Sequence, residues 1–386
     1  MLPLRAQLPS GLNSSFTQQT LGFSDYISAM RTIIETARLD LTSSNHQTIL
    51  DANSPFELRP QNYNGEKAIL LVHGLFDSPF MMRDLANYFY QRGFLVRAIL
   101  LPGHGTVPGD LLEINHEEWI KASQYGIDSL KMEAQHIYYG GFSTGGALAI
   151  YHALMRENLA GLFLFAPACG LNGKINFANR LFGFTRWITQ EDKWIVDPSA
   201  QDDYAKYHAF PMNAASEISA LIERNNELLK SHHVNMPIFM VLSRDDETID
   251  AEVAQKFFST QKHARSSLLY YTTHTSNQFN DERISIINSA FPEQHILNFS
   301  HICLTIAPDN IHYGIDGDYQ EPPFLPTKPY DTTLYQGALK VKYLKQYCFR
   351  RLTYNPDFEN ILGQLDNFLS SNAGDLHASR IPFDTV

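Results

Sequence analysis

The stretch YYGGFSTGGALAIYHAL, Tyr138 to Leu154, decides how the chain is read. It sets Ser143 among Gly140, Gly141, Gly145 and Gly146 and follows it at once with a run of helix formers. HIYYGGF before the serine has the apolar, aromatic content of a buried strand, and the residues from Thr144 have helical spacing. A chain that passes from strand to helix in one residue must bend sharply at the serine. Side chains two positions either side would then collide, so small residues are required there. Gly141-Phe142-Ser143-Thr144-Gly145 therefore fits G-x-S-x-G in the strand-turn-helix context that gives this motif meaning. A hydroxyl at that bend leaves the carboxyl edge of a sheet at the amino end of a helix, whose unpaired N–H groups favour negative charge.

Working outward, the same rhythm repeats. KAILLVHG (67–74) is strand-like, PFMMRDLANYFYQRG (79–93) helical, FLVRAILLPGHG (94–105) strand-like and HEEWIKASQYGIDSLKM (116–132) helical. GLFLFAP (161–167), PIFMVLS (237–243) and SLLYYTT (267–273) add further strands. Strands apolar on both faces, alternating with amphipathic helices, predict an α/β doubly wound, mostly parallel sheet. The rhythm stops between Ala168 and Met236, too long a gap for an ordinary connection, so an inserted subdomain is expected there. It holds an aromatic part and a helical part, NAASEISALIERNNELLKSH (213–232). Ahead of the sheet, Ser24 to Leu39 predicts a helix with Ser24 as N-cap and Ile27, Met30, Ile34 and Leu39 near one face. Residues 43–66 read as a loop. The expected layout is a helical extension at 1–60, core at 61–167, a lid at 168–236, and core with C-terminal helices at 237–386.

The 386 residues are 44% hydrophobic and 18% charged, with a formal net charge of -11. Such an average field repels phosphate backbones, and no dense Lys/Arg block offsets it, so no nucleic-acid partner is expected. Three cysteines, Cys169, Cys303 and Cys348, lie far apart and show neither a disulfide framework nor metal spacing. No apolar run approaches membrane-span length, and the first residues lack the apolar core of a Sec signal. A cytoplasmic or peripherally membrane-associated protein is expected, with export by another route left open.

An exposed serine needs a base to take its proton and donors to hold the oxyanion that forms. LLVHGLFDSP (70–79) puts a turn after a strand, where the N–H of Leu75 can pair with that of Thr144 as an oxyanion hole. His73 in that turn is better suited to stiffening the loop than to acting as the base. His73, Phe76 and Phe142 are assigned to substrate binding. In sheets of this kind the acid follows the serine and the histidine follows the acid. SRDDETI (243–249) offers Asp246 in the tight turn, with Asp245 as the alternative facing solvent; Asp250 is the better N-cap of the next helix. Two histidines beyond it follow strand-like runs: His274 after SLLYYTT and His301 after HILNFS. A polar loop behind His274 gives an imidazole little to rest on, whereas FSHICLTIAPDN supports His301 on both sides.

LLVHGLFDSP, ILLPGHGTVPGDL, GGFSTGG and the SRDDETI turn together resemble the α/β-hydrolase superfamily, in particular bacterial carboxylesterases and monoacylglycerol lipases. SHICLTIAPDNIHYG and RRLTYNPDFENILGQLDNFL are similar to the tail of a bacterial subgroup in which a Ser-His pair carries the base, which supports His301. The resemblance implies an eight-stranded, mostly parallel sheet with helices on both faces, no cofactor, a lid over an acyl pocket, and a last helix over 357–370 begun by Asn355 and Pro356. The chemistry expected is ester hydrolysis on an apolar acyl chain, with Ser143 as nucleophile, His301 as base and Asp246 behind it. Thioesterase, amidase and acyltransferase chemistry share every one of these residues, and a non-catalytic binding protein on the same fold is the alternative of another class.

Lesser features are read more plainly. His104 braces its loop. Phe177, Phe182, Phe184, Trp187 and Trp194 would form subdomain core, line an acyl tunnel or touch a bilayer, the last leaving open a peripheral membrane contact through the lid. YLKQYCFRR (343–351) reads as a locally basic helix, and DGDYQE (316–321) lacks the ligand period of an EF-hand, so no metal is expected. The oligomeric state is not legible.

Overall fold

A computed structural model describes residues 4–171, 194–196, 203–207, 209–274, 276, 279–326 and 332–378. In chain order its elements are helix α1 (Phe23–Ala37), α2 (His46–Asn53), strand β1 (Phe56–Leu58), β2 (Lys67–Val72), α3 (Arg83–Gln91), β3 (Leu95–Ile99), α4 (His116–Leu130), β4 (His136–Phe142), α5 (Thr144–Leu154) and β5 (Gly161–Phe165). There follow β6 (Trp194–Val196), β7 (Ala209–Pro211), α6 (Met212–Leu228), β8 (Ile238–Ser243), α7 (Ala251–Thr260), β9 (Ser267–Thr272) and β10 (Ile284–Asn288). The last are β11 (Leu334–Gly337), α8 (Val341–Leu344), β12 (Cys348–Arg351) and α9 (Phe358–Ala378).

Eight strands form one sheet in the order β1-β3-β2-β4-β5-β8-β9-β10, parallel throughout except for β1 against β3. The order reverses at β4, so the residue that follows it stands at the point where a crevice opens beyond the strand ends. Side-chain alternation along β4 assigns the two faces. Tyr138 packs with Phe94 and Phe163, and Phe163 in turn meets Phe89 of α3 and Phe368 of α9. Tyr139, pointing the other way, stacks on His152 of α5. Both faces are covered, which is why the strand sequences are apolar at consecutive positions.

The structure corrects several element assignments. Helix α1 starts at Phe23 behind Gly22, which makes no side-chain cap, and Ser24 lies inside the first turn. The earlier start buries Phe23 against Tyr26 and Tyr125, and Leu39 stays exposed beyond the helix. Residues 43–66 contain α2 and β1, both too short for a periodic signal to register. HILNFS is not a strand, since only Ile296 bridges, to Phe291 and Gln336; the edge strand is ISIIN, half-buried and so without a clear apolar pattern. The basic YLKQYCFRR is the short α8 followed by β12, because Cys348 and Phe349 are buried against the body. The last described helix starts at Phe358 and not at Asp357; Asn355 Oδ1 accepts from Asp357 N–H at 2.9 Å in the turn ahead of it, and the helix runs on past 370 to Ala378.

Candidate active site

β4 ends at Phe142 and α5 begins at Thr144, so Ser143 alone makes the bend, at φ 53° and ψ -109°. That conformation is costly for a residue with a Cβ and is held by its surroundings. Ser143 N–H donates to Phe165 O at 3.0 Å, while its carbonyl accepts from Ala147 at 3.1 Å and Ala168 at 3.0 Å. A Cβ on Gly141 would stand 2.3 Å from Gly145 carbonyl carbon, and one on Gly145 would stand 2.1 Å from Val72 O. Both glycines are therefore demanded by backbone contact. Ser143 is 7% exposed, and among the described residues no hydrogen bond to its hydroxyl is made.

His301 and Asp246 are joined. Nδ1 of His301 lies 2.7 Å from Oδ2 of Asp246, and Oδ1 of the same carboxylate accepts from the N–H groups of Thr248 at 2.7 Å and Ile249 at 2.9 Å. Three donors thus fix one carboxylate at the end of β8. The imidazole rests on the Phe142 ring, 4.9 Å between centroids, next to Ser143 in sequence. Burial by itself would lower the His301 pKa, but Asp246, Glu247 and Asp77 outweigh it and hold the imidazole above its ordinary value. Asp245 instead pairs with Lys340 at 2.5 Å, and His274 is exposed with its N–H on Thr272 Oγ1. Asp250 caps α7 through the N–H groups of Glu252 and Val253.

On the other side of the serine, the loop after β2 is braced by two buried histidines. His73 Nδ1 is 2.7 Å from Gly74 O, so Nδ1 carries the proton and Nε2 accepts from Leu101 N–H at 3.1 Å. His104 faces the carbonyls of Leu101 and Pro102 with Nδ1 and accepts from Phe76 N–H with Nε2 at 3.0 Å. Burial lowers both imidazoles, His104 to about 4, which keeps them neutral and keeps those acceptors available. Phe76 sits at φ 69°, and the N–H groups of Leu75 and Thr144 have no partner among the described residues. Two assignments are corrected here. His73 has both nitrogens engaged and no exposed surface, and Phe142 is fully buried beneath His301, so neither presents a face to substrate.

Sequence reasoning missed Asp77. It is buried, its Oδ1 makes no hydrogen bond among the described residues but has Lys206 Nζ 3.8 Å away, and burial raises its pKa. Its place two residues after Leu75 was the available signal. Lys206 belongs to a described piece of the 168–236 segment that crosses this loop: Tyr207 N–H donates to Phe76 O at 2.9 Å, and its hydroxyl donates to Gly103 O at 3.1 Å. Asp203 anchors the crossing on the chain beyond His301, accepting from Tyr313 hydroxyl at 2.7 Å and lying 3.1 Å from His312 Nε2. Helix α6, from the same segment, packs on α5 through Asn225, which donates to Ala147 O at 2.9 Å, and on α4 through Arg224 and Glu117. Phe177, Phe182, Phe184 and Trp187 lie outside the described residues, as does the side chain of Trp194. Among the described residues no cluster is arranged to hold a metal, and no helix is long and apolar enough to cross a membrane.

The sequence profile of Hydrolase_4, described as serine aminopeptidase, S33, matches residues 64–281, more than half of the chain. The protein belongs to this α/β-hydrolase family. The matched span of this S33-family protein holds β2, the serine bend and the Asp246 turn, and it ends before His301. A thermostable monoacylglycerol lipase of Bacillus sp. (strain H-257) is 32% identical over 119 residues, 31% of this chain; the match spans less than half, 46%, of that lipase. A carboxylesterase of Bacillus subtilis (strain 168) is 25% identical over 210 residues, 54% of this chain and 83% of that enzyme. Among solved structures, one reported with LipS and LipT, two metagenome-derived lipolytic enzymes, is 21% identical with a TM-score of 0.48, covering 57% of this chain and 86% of its own. The monoacylglycerol lipase of Paleococcus ferrophilus is 19% identical with a TM-score of 0.46, covering 56% and 87%.

Proposed function

We propose that this S33-family protein is a serine ester hydrolase acting on an apolar acyl ester of a small alcohol, such as a monoacylglycerol, a lysophospholipid or a short carboxylester. The Asp246–His301 pair, its imidazole resting on the ring of Phe142 directly before the strained Ser143, carries the reading. Nε2 of His301 takes the hydroxyl proton as Ser143 Oγ attacks the ester carbonyl, through a hydrogen bond that forms when substrate is bound. Asp246 fixes Nδ1 as the protonated nitrogen and stabilises the imidazolium. The tetrahedral oxyanion is held by the N–H groups of Leu75 and Thr144; one such donor is worth on the order of 100 to 1000-fold in rate. His301 then returns the proton to the leaving alcohol, and water repeats both steps on the acyl-enzyme.

A fluorophosphonate probe tests this. The wild type and His274→Ala should label, and Ser143→Ala and His301→Ala should not. Labelling that persists in His301→Ala would remove the base from the scheme, and an unlabelled wild type would remove the hydrolase. A chain-length series of p-nitrophenyl esters then sizes the acyl pocket. Transfer to an added alcohol exceeding hydrolysis would mark an acyltransferase on the same residues.

A further inference from the structure

The three consecutive acids after β8 are all engaged, and two of their partners come from the chain beyond His301. Asp245 pairs with Lys340, Asp246 holds the His301 ring, and Glu247 does two things at once. Its Oε2 accepts the main-chain N–H of His301 at 3.1 Å, and its Oε1 lies 3.7 Å from Nε of Arg351. Arg351 also reaches Glu321 at 3.6 Å. Lys340 and Arg351 both belong to the unit in which β11 and β12 pair in parallel around α8. His301 is thereby tied to the acid turn by its ring and its backbone, and the turn is tied to the tail by two cations.

We propose that Glu247, held by Arg351, is a positioning residue for His301, fixing its backbone and adding a second negative charge beside its imidazole. The inference rests on the ester-hydrolase reading for its function, though not for its geometry. The charged groups facing His301 are Asp246 and Glu247 from the β8–α7 turn and Asp77 from the loop after β2, with Arg351 behind Glu247 and Lys206 behind Asp77. Burial, with Asp246 adding to it, holds the Glu247 carboxyl above its ordinary value, and Arg351 and His301 act against that rise in favour of the ionised form. Removing either member of the pair therefore weakens the same charge beside the ring. The base works when neutral, so losing that charge lowers the His301 pKa and moves the acidic limb of activity to lower pH.

Glu247→Gln keeps an oxygen for the His301 N–H and deletes the charge. For p-nitrophenyl butyrate, it should move the acidic midpoint of kcat/KM down by roughly one pH unit with KM little changed. Arg351→Gln should shift it the same way by less, and the double variant no further than Glu247→Gln, since both act through one carboxylate. An unmoved limb in Glu247→Gln, or additive shifts, would overturn the proposal. A second readout needs no activity: in 13C-histidine-labelled Ser143→Ala, the His301 resonance, identified by its loss in His301→Gln, should titrate lower once Glu247→Gln is added. If the wild type hydrolyses no ester and takes no fluorophosphonate, the hydrolase reading falls while this titration still decides the role of Glu247.

Discussion

Asp246→Asn is the substitution that the geometry specifies most tightly. Oδ1 of Asp246 is held by two backbone donors, Thr248 N–H at 2.7 Å and Ile249 N–H at 2.9 Å. An asparagine must place its carbonyl oxygen there, because its NH2 would oppose two N–H groups at hydrogen-bond distance. Its NH2 is then forced to the position of Oδ2, 2.7 Å from Nδ1 of His301. Nδ1 must accept instead of donate, the proton moves to Nε2, and the ring meets Ser143 with a nitrogen that already carries hydrogen. The side chain remains as large and as well bonded, so folding should change little while the base is lost. A wrong-tautomer triad loses on the order of 10⁴-fold in kcat, or about 5.4 kcal/mol of transition-state stabilisation. Stopped assays of p-nitrophenyl butyrate hydrolysis, with thermal unfolding as a control, measure both. An Asn variant within about tenfold of wild type, folded and with unchanged KM, would refute the role given to Asp246.

Other consequences can be tested with the same preparations. His104→Ala removes the acceptor of Phe76 N–H and lets the adjoining Leu75 shift; kcat should fall by roughly tenfold or more with KM little changed, and an unaltered kcat would separate this loop from catalysis. Gly145→Ala drives a methyl group against Val72 O, so urea unfolding should show a loss of about 1–3 kcal/mol if the protein accumulates at all. His73, His104 and His152 are buried and held below their ordinary values, His104 to about 4 and His152 to about 3. The unfolded chain therefore binds protons that the folded one refuses, and stability is present above about pH 6.5 and lost as pH falls toward 4. Urea midpoints at pH 7 and 5 check the slope, which His152→Gln should reduce while retaining a partner for Ser123.

What the sequence by itself determined is the part of this protein that local physics controls. Gly141 and Gly145 are required by backbone contacts within a few ångströms of Ser143, so the bend is written in five adjacent residues and their flanking strand and helix. The buried central strands were legible for a similar reason: covered on both faces, they must be apolar at every position. Edge strands escaped because they are short or half-wet, as β1 and β10 are. The loop proposed to hold the oxyanion was visible as a turn after β2, but not that buried neutral histidines hold it.

What only tertiary structure decided is which distant groups meet. SRDDETI favours Asp246 over Asp245 only by its place in the turn; the partners themselves, Lys340 for Asp245 and His301 for Asp246, come from 95 and 55 residues on. His274 stands at the end of a genuine strand and His301 does not, yet the fold brings only His301 to the acid and lays it on Phe142. The physical reason is the range over which each interaction is specified. Sterics of neighbouring backbone are fixed by neighbouring letters, whereas a hydrogen bond between residues 55 positions apart depends on every element packed between them.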